Sequence, residues 1–257
     1  MPTALITGAS KGIGRSIALR LADDGYDLVI HHRSSATEAQ DVAEAGVSLG
    51  IQSLVVQADL TASDSSAILV EAGLERFGTI DVLVNSASMF EADGWEDATM
   101  QNIQSHMIVN VFAPLALTRA VAHAAEQAGA DSGSISVVNI LDQKLTNPNP
   151  DYISYTMSKQ ALEVQTRMLA RALAPRLRVN AVSPGHTTAS HQQSAAQFRA
   201  AQENSLLGFG PSPGDVADAV SFFCHTRSVT GQILTVDAGE HMLARARDVE
   251  FGFESEN

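Results

Sequence analysis

Short apolar runs alternate along this chain with longer amphipathic stretches, and this alternation constrains the fold more than any other feature of the sequence. The runs are rich in Val, Ile and Leu and almost uninterrupted, which is typical of strands buried on both faces of a parallel sheet. Together with the stretches between them, they predict an α/β fold: a doubly wound Rossmann-type parallel sheet with helices on both faces. The predicted strands are Thr3–Thr7, Leu28–His31, Ser53–Gln57, Ile80–Val84, Ser134–Ile140, Arg178–Val182 and Gln232–Val236. The predicted helices are Ile13–Asp23, Thr37–Leu49, Ser63–Phe77, Thr99–Gln127, Ile153–Leu173 and Gly214–Cys224.

Length and composition predict one domain. The chain has 257 residues, 45% of them apolar, and contains no Pro/Gly-rich linker. Residues 1–242 are predicted to form a single cofactor-binding and catalytic domain, with a tail at residues 243–257. The net charge of -13 argues against nucleic acid or an anionic membrane as a partner. No apolar run reaches the roughly 18 residues that would predict a transmembrane helix.

Targeting and metal signals are sparse. The start MPTALITGAS lacks the basic residues and long apolar stretch of a signal peptide. Cys224 is the only cysteine, which excludes an internal disulfide and fits a reducing compartment, so the expected location is the cytoplasm. None of the eight histidines pairs with acidic residues at metal-ligand spacing, and no metal site is predicted.

A glycine-rich turn follows the first predicted strand and leads directly into the first helix. Glycine tolerates positive φ and lets a phosphate approach the backbone. The helix start offers free N–H groups and the positive end of a dipole. A tight turn without a ligand is the alternative, but the position between strand and helix favours a dinucleotide. The predicted binding residues are Gly8, Ser10, Lys11, Gly12, Ile13 and Gly14.

The end of the second strand indicates which dinucleotide is bound. A site specific for NAD usually has a carboxylate there for the ribose 2′-hydroxyl, but this chain has His32 followed by Arg33 and Ser34. Arg33 together with Lys11 could neutralise a 2′-phosphate, with Ser34 adding a hydrogen bond. We therefore expect NADP(H), although a solvated basic loop is the alternative.

The end of the third strand offers a further contact to the cofactor. Asp59 closes this strand and is followed by Leu60. Asp59 is a candidate acceptor for the adenine amino group, and it could instead cap the next helix.

Tyr155 and Lys159 are the predicted proton-transfer pair. Their i, i+4 spacing puts both side chains on one helical face. A phenol with its ordinary pKa of about 10 is a poor acid–base catalyst at neutral pH. A nearby ammonium is expected to lower the pKa of Tyr155.

These motifs stand in the order found in the short-chain dehydrogenase/reductase family, which the chain resembles from residue 3 to about residue 242. The resemblance implies a catalytic Asn-Ser-Tyr-Lys tetrad, in which Lys159 also holds the nicotinamide ribose. It implies a homotetramer with Thr99–Gln127 and Ile153–Leu173 at the interface. The motifs that carry it are Thr7–Gly14, Asn85-Ser86-Ala87-Ser88, Asn110, Tyr155 with Lys159, and Ser183-Pro184-Gly185. The cofactor contacts that it adds are Asn85, Ser86, Ala87, Tyr155, Lys159, Pro184, Gly185 and Thr187.

Asn110 is followed four residues later by Pro114 in the same predicted helix. Proline has no N–H to donate to the carbonyl at i−4, so the Asn110 carbonyl is freed. The family resemblance implies that this carbonyl holds a water connected to the lysine. An ordinary proline kink is the alternative.

The family serine is missing, because the position 13 residues before Tyr155 holds Asp142. Either the enzyme is degenerate or a carboxyl group suits different chemistry, such as reduction of C=N in a nitrogen heterocycle. Pteridine reductases and dihydromonapterin reductases share this departure, and the segment from His31 to Ser34 resembles theirs. Phe90 then lies near the aromatic residue that stacks on the pterin in that group, although it could be a packed apolar side chain.

Three functions follow from these features. The first is an NADPH-dependent reductase of a small pterin-like molecule, with Phe90, Asp142 and Tyr155 at the substrate. The second is a reductase of the same fold for another carbonyl or imine, and the third is an inactive cofactor-binding regulator. The acidic tail after Gly239 is expected either to fray or to pack on a neighbouring subunit near its active site.

Overall fold

A seven-stranded parallel sheet forms the centre of the molecule in the computed structural model, which describes residues 1–189, 193–249 and 251. The strand order is β3-β2-β1-β4-β5-β6-β7. The predicted fold class is confirmed. The strands are β1 Thr3–Ile6, β2 Asp27–His32, β3 Ser53–Gln57, β4 Val82–Asn85, β5 Ile135–Ile140, β6 Leu177–Pro184 and β7 Ile233–Val236.

Helices cover both faces of the sheet because successive strand residues point to opposite sides. Ile6 and Ile30 pack in one core with α1, α2 and α8, whereas Leu5 and Val29 pack in a second core with α3, α5 and α6. Of these helices, only α7 had no counterpart among the predicted ones. The helices are α1 Gly12–Asp23, α2 Ala36–Ser48, α3 Ser65–Phe77, α4 Met100–Met107, α5 Ala113–Gln127, α6 Ile153–Ala172, α7 Ala195–Glu203 and α8 Pro213–His225.

The predicted helix Thr99–Gln127 contains a π-helical turn at Ile108–Phe112. Pro114 cannot donate a backbone hydrogen bond to Asn110, and wider turns of this kind relieve such a missing bond. The stretch Met100–Gln127 is long and apolar enough by composition to cross a membrane. Here it serves as a core helix, with Leu117 and Val121 buried against the sheet.

The strand order reverses direction between β1 and β4, which lie side by side. β1 leads to β2 on one side, and β4 leads to β5 on the other. In open α/β sheets this switch point opens a crevice outside the carboxyl ends of the strands. The glycine turn after β1 and the Asn85 segment after β4 therefore meet at one place.

Candidate active site

One cavity of about 710 Å³ runs along the carboxyl edge of the sheet. Its size is that of ordinary small-molecule sites. Most of the residues predicted to bind cofactor or substrate line it. These are Gly8, Ser10, Ile13, His32, Arg33, Ser34, Asp59, Leu60, Ser86, Ala87, Phe90, Asp142, Tyr155, Gly185 and Thr187.

The glycine turn is packed too tightly to accept side chains. Gly8 has φ +65°, and an added Cβ there would lie 3.0 Å from Cα of Ala87. A Cβ on Gly14 would lie 2.2 Å from the Gly8 carbonyl oxygen. Across the switch point, the Thr7 hydroxyl accepts from the N–H groups of Ser86 and Ala87, each at 3.0 Å. The result is a rigid backbone cradle at the N-terminus of α1, which is the arrangement that binds phosphate.

His31 fixes this turn, a role that the sequence did not suggest. Its Nδ1 accepts from the Gly8 N–H at 3.1 Å, so Nε2 carries the proton and donates to the Ala58 carbonyl at 3.1 Å. Burial lowers the pKa of His31, which keeps the ring neutral in this tautomer. An imidazole with one donor and one acceptor thus joins β1 to the loop after β3.

The basic residues near this turn differ in what they contact. Arg33 lines the cavity, whereas Lys11, among the described residues, does not: its Nζ lies 2.8 Å from Glu38. Lys11 was expected to share a 2′-phosphate with Arg33, but its side chain is directed to the nearby acid of α2. Nδ1 of His32 is buried and has no hydrogen-bond partner in the described part of the chain, so a polar atom is left for a ligand at this end.

Asp59 accepts from the N–H and the hydroxyl of Thr61, at 2.9 and 2.8 Å. This local turn replaces the alternative of a helix cap, since α3 begins only at Ser65 after Asp64. Asn85 also differs from expectation. Its Nδ2 donates to Oδ1 of Asn139 at 2.8 Å inside the sheet, and Asn85 is not among the described residues that line the cavity. The other predicted cofactor residues outside that lining are Gly12, Gly14, Pro184 and Lys159.

The Tyr155 hydroxyl donates to Oδ2 of Asp142 at 2.8 Å. Asp142, which stands where the resemblance predicts a serine, therefore contacts Tyr155 directly. Oδ1 of Asp142 accepts from the Lys144 N–H at 2.8 Å, which fixes the carboxyl. Lys159 Nζ donates to the Ile140 carbonyl at 2.8 Å and lies 5.7 Å from the centre of the Tyr155 ring.

Burial dominates the electrostatics of these three groups. It raises the pKa of Asp142. Burial, and next the Asp142 carboxyl, raise the pKa of Tyr155 well above its ordinary value. Burial also lowers the pKa of Lys159 to about 8, against a smaller opposing effect of Asp142. The expected lowering of the pKa of Tyr155 is wrong for this arrangement, because burial and the adjacent Asp142 carboxyl both disfavour the phenolate.

Asn110 acts through its side chain as well as through its backbone position. Its Oδ1 accepts from the Met89 N–H at 2.8 Å, and its Nδ2 donates to the Met89 carbonyl at 3.0 Å. Nδ2 also donates to the Ser158 hydroxyl at 2.9 Å. The side chain thereby joins the loop after β4 to α6. The sequence predicted the residue through its carbonyl and missed this structural bridge.

Phe90 lies beside the tyrosine, about half exposed. Its ring stacks on Tyr152 at a centroid distance of 4.4 Å and meets Tyr155 edge-on at 4.7 Å. Part of the expected stacking surface for a ligand is thus already covered by Tyr152. That residue was not predicted, and its own backbone adopts φ +55°.

Behind Gly185 the backbone is packed closely, since a Cβ there would lie 2.7 Å from Asp237. The Thr187 hydroxyl donates back to the Gly185 carbonyl at 2.8 Å. His186, which was not predicted, faces the cavity with Nε2 at 3.2 Å from the buried Glu240. Burial lowers the pKa of His186, but the Glu240 carboxylate more than offsets this and raises it.

The described part of the C-terminal tail packs on its own chain. Leu243, Arg245, Asp248 and Val249 line the same cavity as Tyr155. The expectation of a frayed end therefore does not hold for residues 243–249 and 251. Residues 250 and 252–257, which include the rest of the predicted tail, lie outside the described residues.

The chain is similar throughout its length to known oxidoreductases. A family model described as enoyl-(acyl carrier protein) reductase matches residues 8–241. FolM alternative dihydrofolate reductase 1 from Brucella suis, solved with NADP, is 36% identical with a TM-score of 0.89, covering 94% of this chain and 96% of that one. The angucycline C-6 ketoreductase LanV, also solved with NADP, is 30% identical with a TM-score of 0.85, covering 94% and 96%.

Among curated proteins, the 3-oxoacyl-acyl-carrier-protein reductase FabG of Staphylococcus aureus is 30% identical, over 93% of this chain and 98% of its own length. The family match covers far more than half of the chain and includes the glycine turn, Asn110, Tyr155 and Lys159. The chain therefore belongs to the short-chain dehydrogenase/reductase family of oxidoreductases.

Proposed function

We propose that this protein is an NADPH-dependent reductase of a dihydropterin or dihydrofolate-type C=N bond. The observation that carries the proposal is the 2.8 Å hydrogen bond from Tyr155 to Asp142. A carboxyl group beside the proton donor suits a ring that carries its own N–H groups, since carboxyl oxygens accept hydrogen bonds. The likeness to FolM alternative dihydrofolate reductase 1 supports the same substrate class.

NADP(H) fits the residues of the other half of the cavity. Gly8 lines the cavity beside the N-terminus of α1, where a pyrophosphate would lie against backbone N–H groups, and the backbone at Gly8 and Gly14 has no room for a side chain. Arg33 and Ser34 would hold the 2′-phosphate, and the unpaired Nδ1 of His32 would add a polar contact. When bound, the cofactor supplies a hydride to the substrate carbon.

Tyr155 completes the reduction by giving its hydroxyl proton to the adjacent ring nitrogen. The raised pKa keeps the phenol protonated until the nitrogen becomes basic. Asp142 accepts an N–H of the ring and holds it against the tyrosine. Lys159, with a pKa of about 8, is charged at neutral pH and stabilises the phenolate that forms. Asn110 keeps the loop of Phe90 beside the ring.

Initial rates of NADPH oxidation with dihydromonapterin, dihydrobiopterin and dihydrofolate test this function. We expect turnover of at least one of them, and loss of it in Asp142→Ser, which removes the carboxyl but keeps a hydroxyl beside Tyr155. Turnover of simple ketones without any pterin activity would overturn the proposal. Tight NADPH binding with no turnover of either class would instead indicate a regulatory protein.

Ketone reduction is the second candidate, favoured by the likeness to the ketoreductase LanV and to FabG. The same Tyr155 would then protonate an alkoxide. The Asp142→Ser variant separates the two candidates. It should gain ketone activity if the aspartate is what excludes ketones, and lose all activity if the aspartate is needed for every substrate.

We also propose a homotetramer located in the cytoplasm. Apolar side chains are partly exposed on the two stretches expected at the interface: Phe112 in the π-helical turn, Leu115 at the start of α5, and Met157, Val164 and Met168 on α6. Exposed apolar patches of this kind mark protein contacts. Light scattering of Val164→Glu should report a smaller species than the parent, and an unchanged mass would contradict this interface. Cell fractionation tests the proposed location in the cytoplasm.

A further inference from the structure

We propose that the C-terminal strap, residues 243–249 and 251, selects substrates by length, and that Lys144 and Asp248 are the residues that determine this specificity. The inference rests on the proposed function for the kind of substrate, a compact dihydropterin. It adds that an extended substrate such as dihydrofolate is disfavoured by a segment of the same chain.

Lys144 joins the strap to the turn that begins at Asp142. Its backbone N–H donates to Asp142, and its side chain is buried, 6% exposed. Nζ donates to the Asp151 carbonyl at 2.8 Å and to Oδ2 of Asp248 at 3.1 Å, and lies 5.2 Å from the Tyr152 ring centre. Lys144 thus contacts the Asp142 carboxyl through its backbone N–H and the strap through its side chain.

Asp151 provides a second attachment. Nε of Arg247 lies 2.9 Å from both oxygens of its carboxylate, and the Asp248 N–H donates to one of them at 2.7 Å. Arg247 also lies over the Phe251 ring at 5.5 Å, and that ring lies 5.8 Å from Tyr152. The strap is therefore attached by charge and by aromatic contacts to the residues that flank the catalytic tyrosine.

These attachments make the strap a wall of the catalytic cavity. Asp248 and Val249 line it together with Phe90 and Asp142. The Asp248 carboxylate is close enough to contribute to the raised pKa of Tyr155. A compact ring bound at Tyr155 can use the space inside this wall, whereas a long substituent must displace it.

The charges of the wall point to the same selectivity. The cations that face the cavity here are already paired: Arg245 and His186 with Glu240, and Lys144 with Asp248. Asp142 adds a carboxyl without a cationic partner of its own. Apart from Arg33 at the cofactor end, an anionic substituent such as the glutamate of a folate therefore meets no unpaired cation among the described lining residues. A neutral ring with N–H groups meets acceptors.

The test compares kcat/KM for dihydrobiopterin and dihydrofolate in the parent, Lys144→Met and Asp248→Asn. We expect the parent to favour dihydrobiopterin, and each variant to raise the relative kcat/KM of dihydrofolate by about tenfold, through KM rather than kcat. The double variant should show no more than the larger of the two single effects, because each substitution removes the same contact between Lys144 and Asp248. Lys144→Arg should restore the parent preference.

Hydrogen exchange supplies a measurement that is independent of activity. Residues 243–249 should exchange faster in Lys144→Met and Asp248→Asn, and at the parent rate in Arg176→Met, the control, which breaks the exposed ion pair with Glu126. Unchanged exchange with an unchanged substrate ratio would overturn the inference. So would equal loss of activity on both substrates.

Failure of the proposed function is distinguishable from failure of this inference. If the parent reduces no pterin, the same variants are compared on a compact diketone and a multi-ring ketone. A shift toward the longer ketone would retain length selection by the strap and reject only the pterin. A ratio that stays constant on the substrates the parent does accept would reject the strap as a selector. If Lys144→Met does not fold, Asp248→Asn decides, since it leaves Lys144 and its hydrogen bond to the Asp151 carbonyl in place.

Discussion

The cofactor end and the catalytic end of the cavity are built in different ways. Beside β1 the close contacts are between backbone atoms, with glycines where a side chain would collide. Beside α6 they come from buried charged side chains far apart in the chain, as in the pair of Lys144 with Asp248. The first end tolerates no added volume, whereas the second is sensitive to the loss of a single partner, because a buried charge left unpaired is costly. Four predictions test this contrast between the two ends of the cavity.

Gly14→Ala should give the largest effect, at the cofactor end. Its Cβ would lie 2.2 Å from a backbone oxygen, which cannot rotate away. We expect the unfolding free energy to fall by about 1–3 kcal/mol and NADPH binding to be lost in fluorescence titrations. The control is Gly214→Ala, where the nearest atom is the Ser212 hydroxyl at 3.4 Å. Normal NADPH binding by Gly14→Ala would refute the backbone cradle.

Tyr155→Phe tests the catalytic end without changing its volume. Removing the hydroxyl removes the proposed proton donor, so kcat should fall by about 10²–10⁴, a far larger change than in NADPH affinity. Single-turnover kinetics measure the first, and fluorescence titration the second. If binding and kcat fell together, Tyr155 would have a role in cofactor binding instead.

Arg33→Met and Lys11→Met compare the two basic residues at the cofactor end. Arg33 lines the cavity, whereas Lys11 is in an exposed ion pair with Glu38. Loss of Arg33 should raise KM for NADPH by about tenfold or more, with KM for NADH little changed. Loss of Lys11 should change either value by less than about twofold, as for other exposed pairs. A larger effect of Lys11 would mean that it leaves Glu38 for the phosphate.

The smallest effect is in the pH dependence. Because burial lowers the pKa of Lys159 to about 8, kcat should decline as pH rises through that value, and Lys159→Met should lack this limb. The unfolded lysine keeps its ordinary pKa of 10.5, so the unfolded chain binds more protons between those values. The contribution of Lys159 to the unfolding free energy should therefore rise with pH across that window. Urea unfolding at several pH values measures it.

The strands were predicted to within a few residues, because continuous apolar runs require burial on both faces of a sheet. For Met100–Gln127 the sequence predicted a freed carbonyl at Asn110 or an ordinary proline kink, and not the π-helical turn at Ile108–Phe112, because the missing N–H of Pro114 does not by itself fix how the helix accommodates it. Helix α7 was missed; its short sequence AAQFRAAQE gives a weak apolar pattern.

The amino-acid sequence alone predicts the glycine turn, the shared helical face of Tyr155 and Lys159, and the position of Asp142 before Tyr155. These follow from local spacing, which neighbouring residues impose on one another. The packing of the fold determines that Lys11 pairs with Glu38, that Asn85 donates to Asn139, and that Asp248 of the tail pairs with Lys144 in the lining of the cavity of Tyr155. In each of those cases the partner lies 27 to 104 residues away, and a side chain with several charged or polar neighbours is directed by whichever one the packed fold brings within reach.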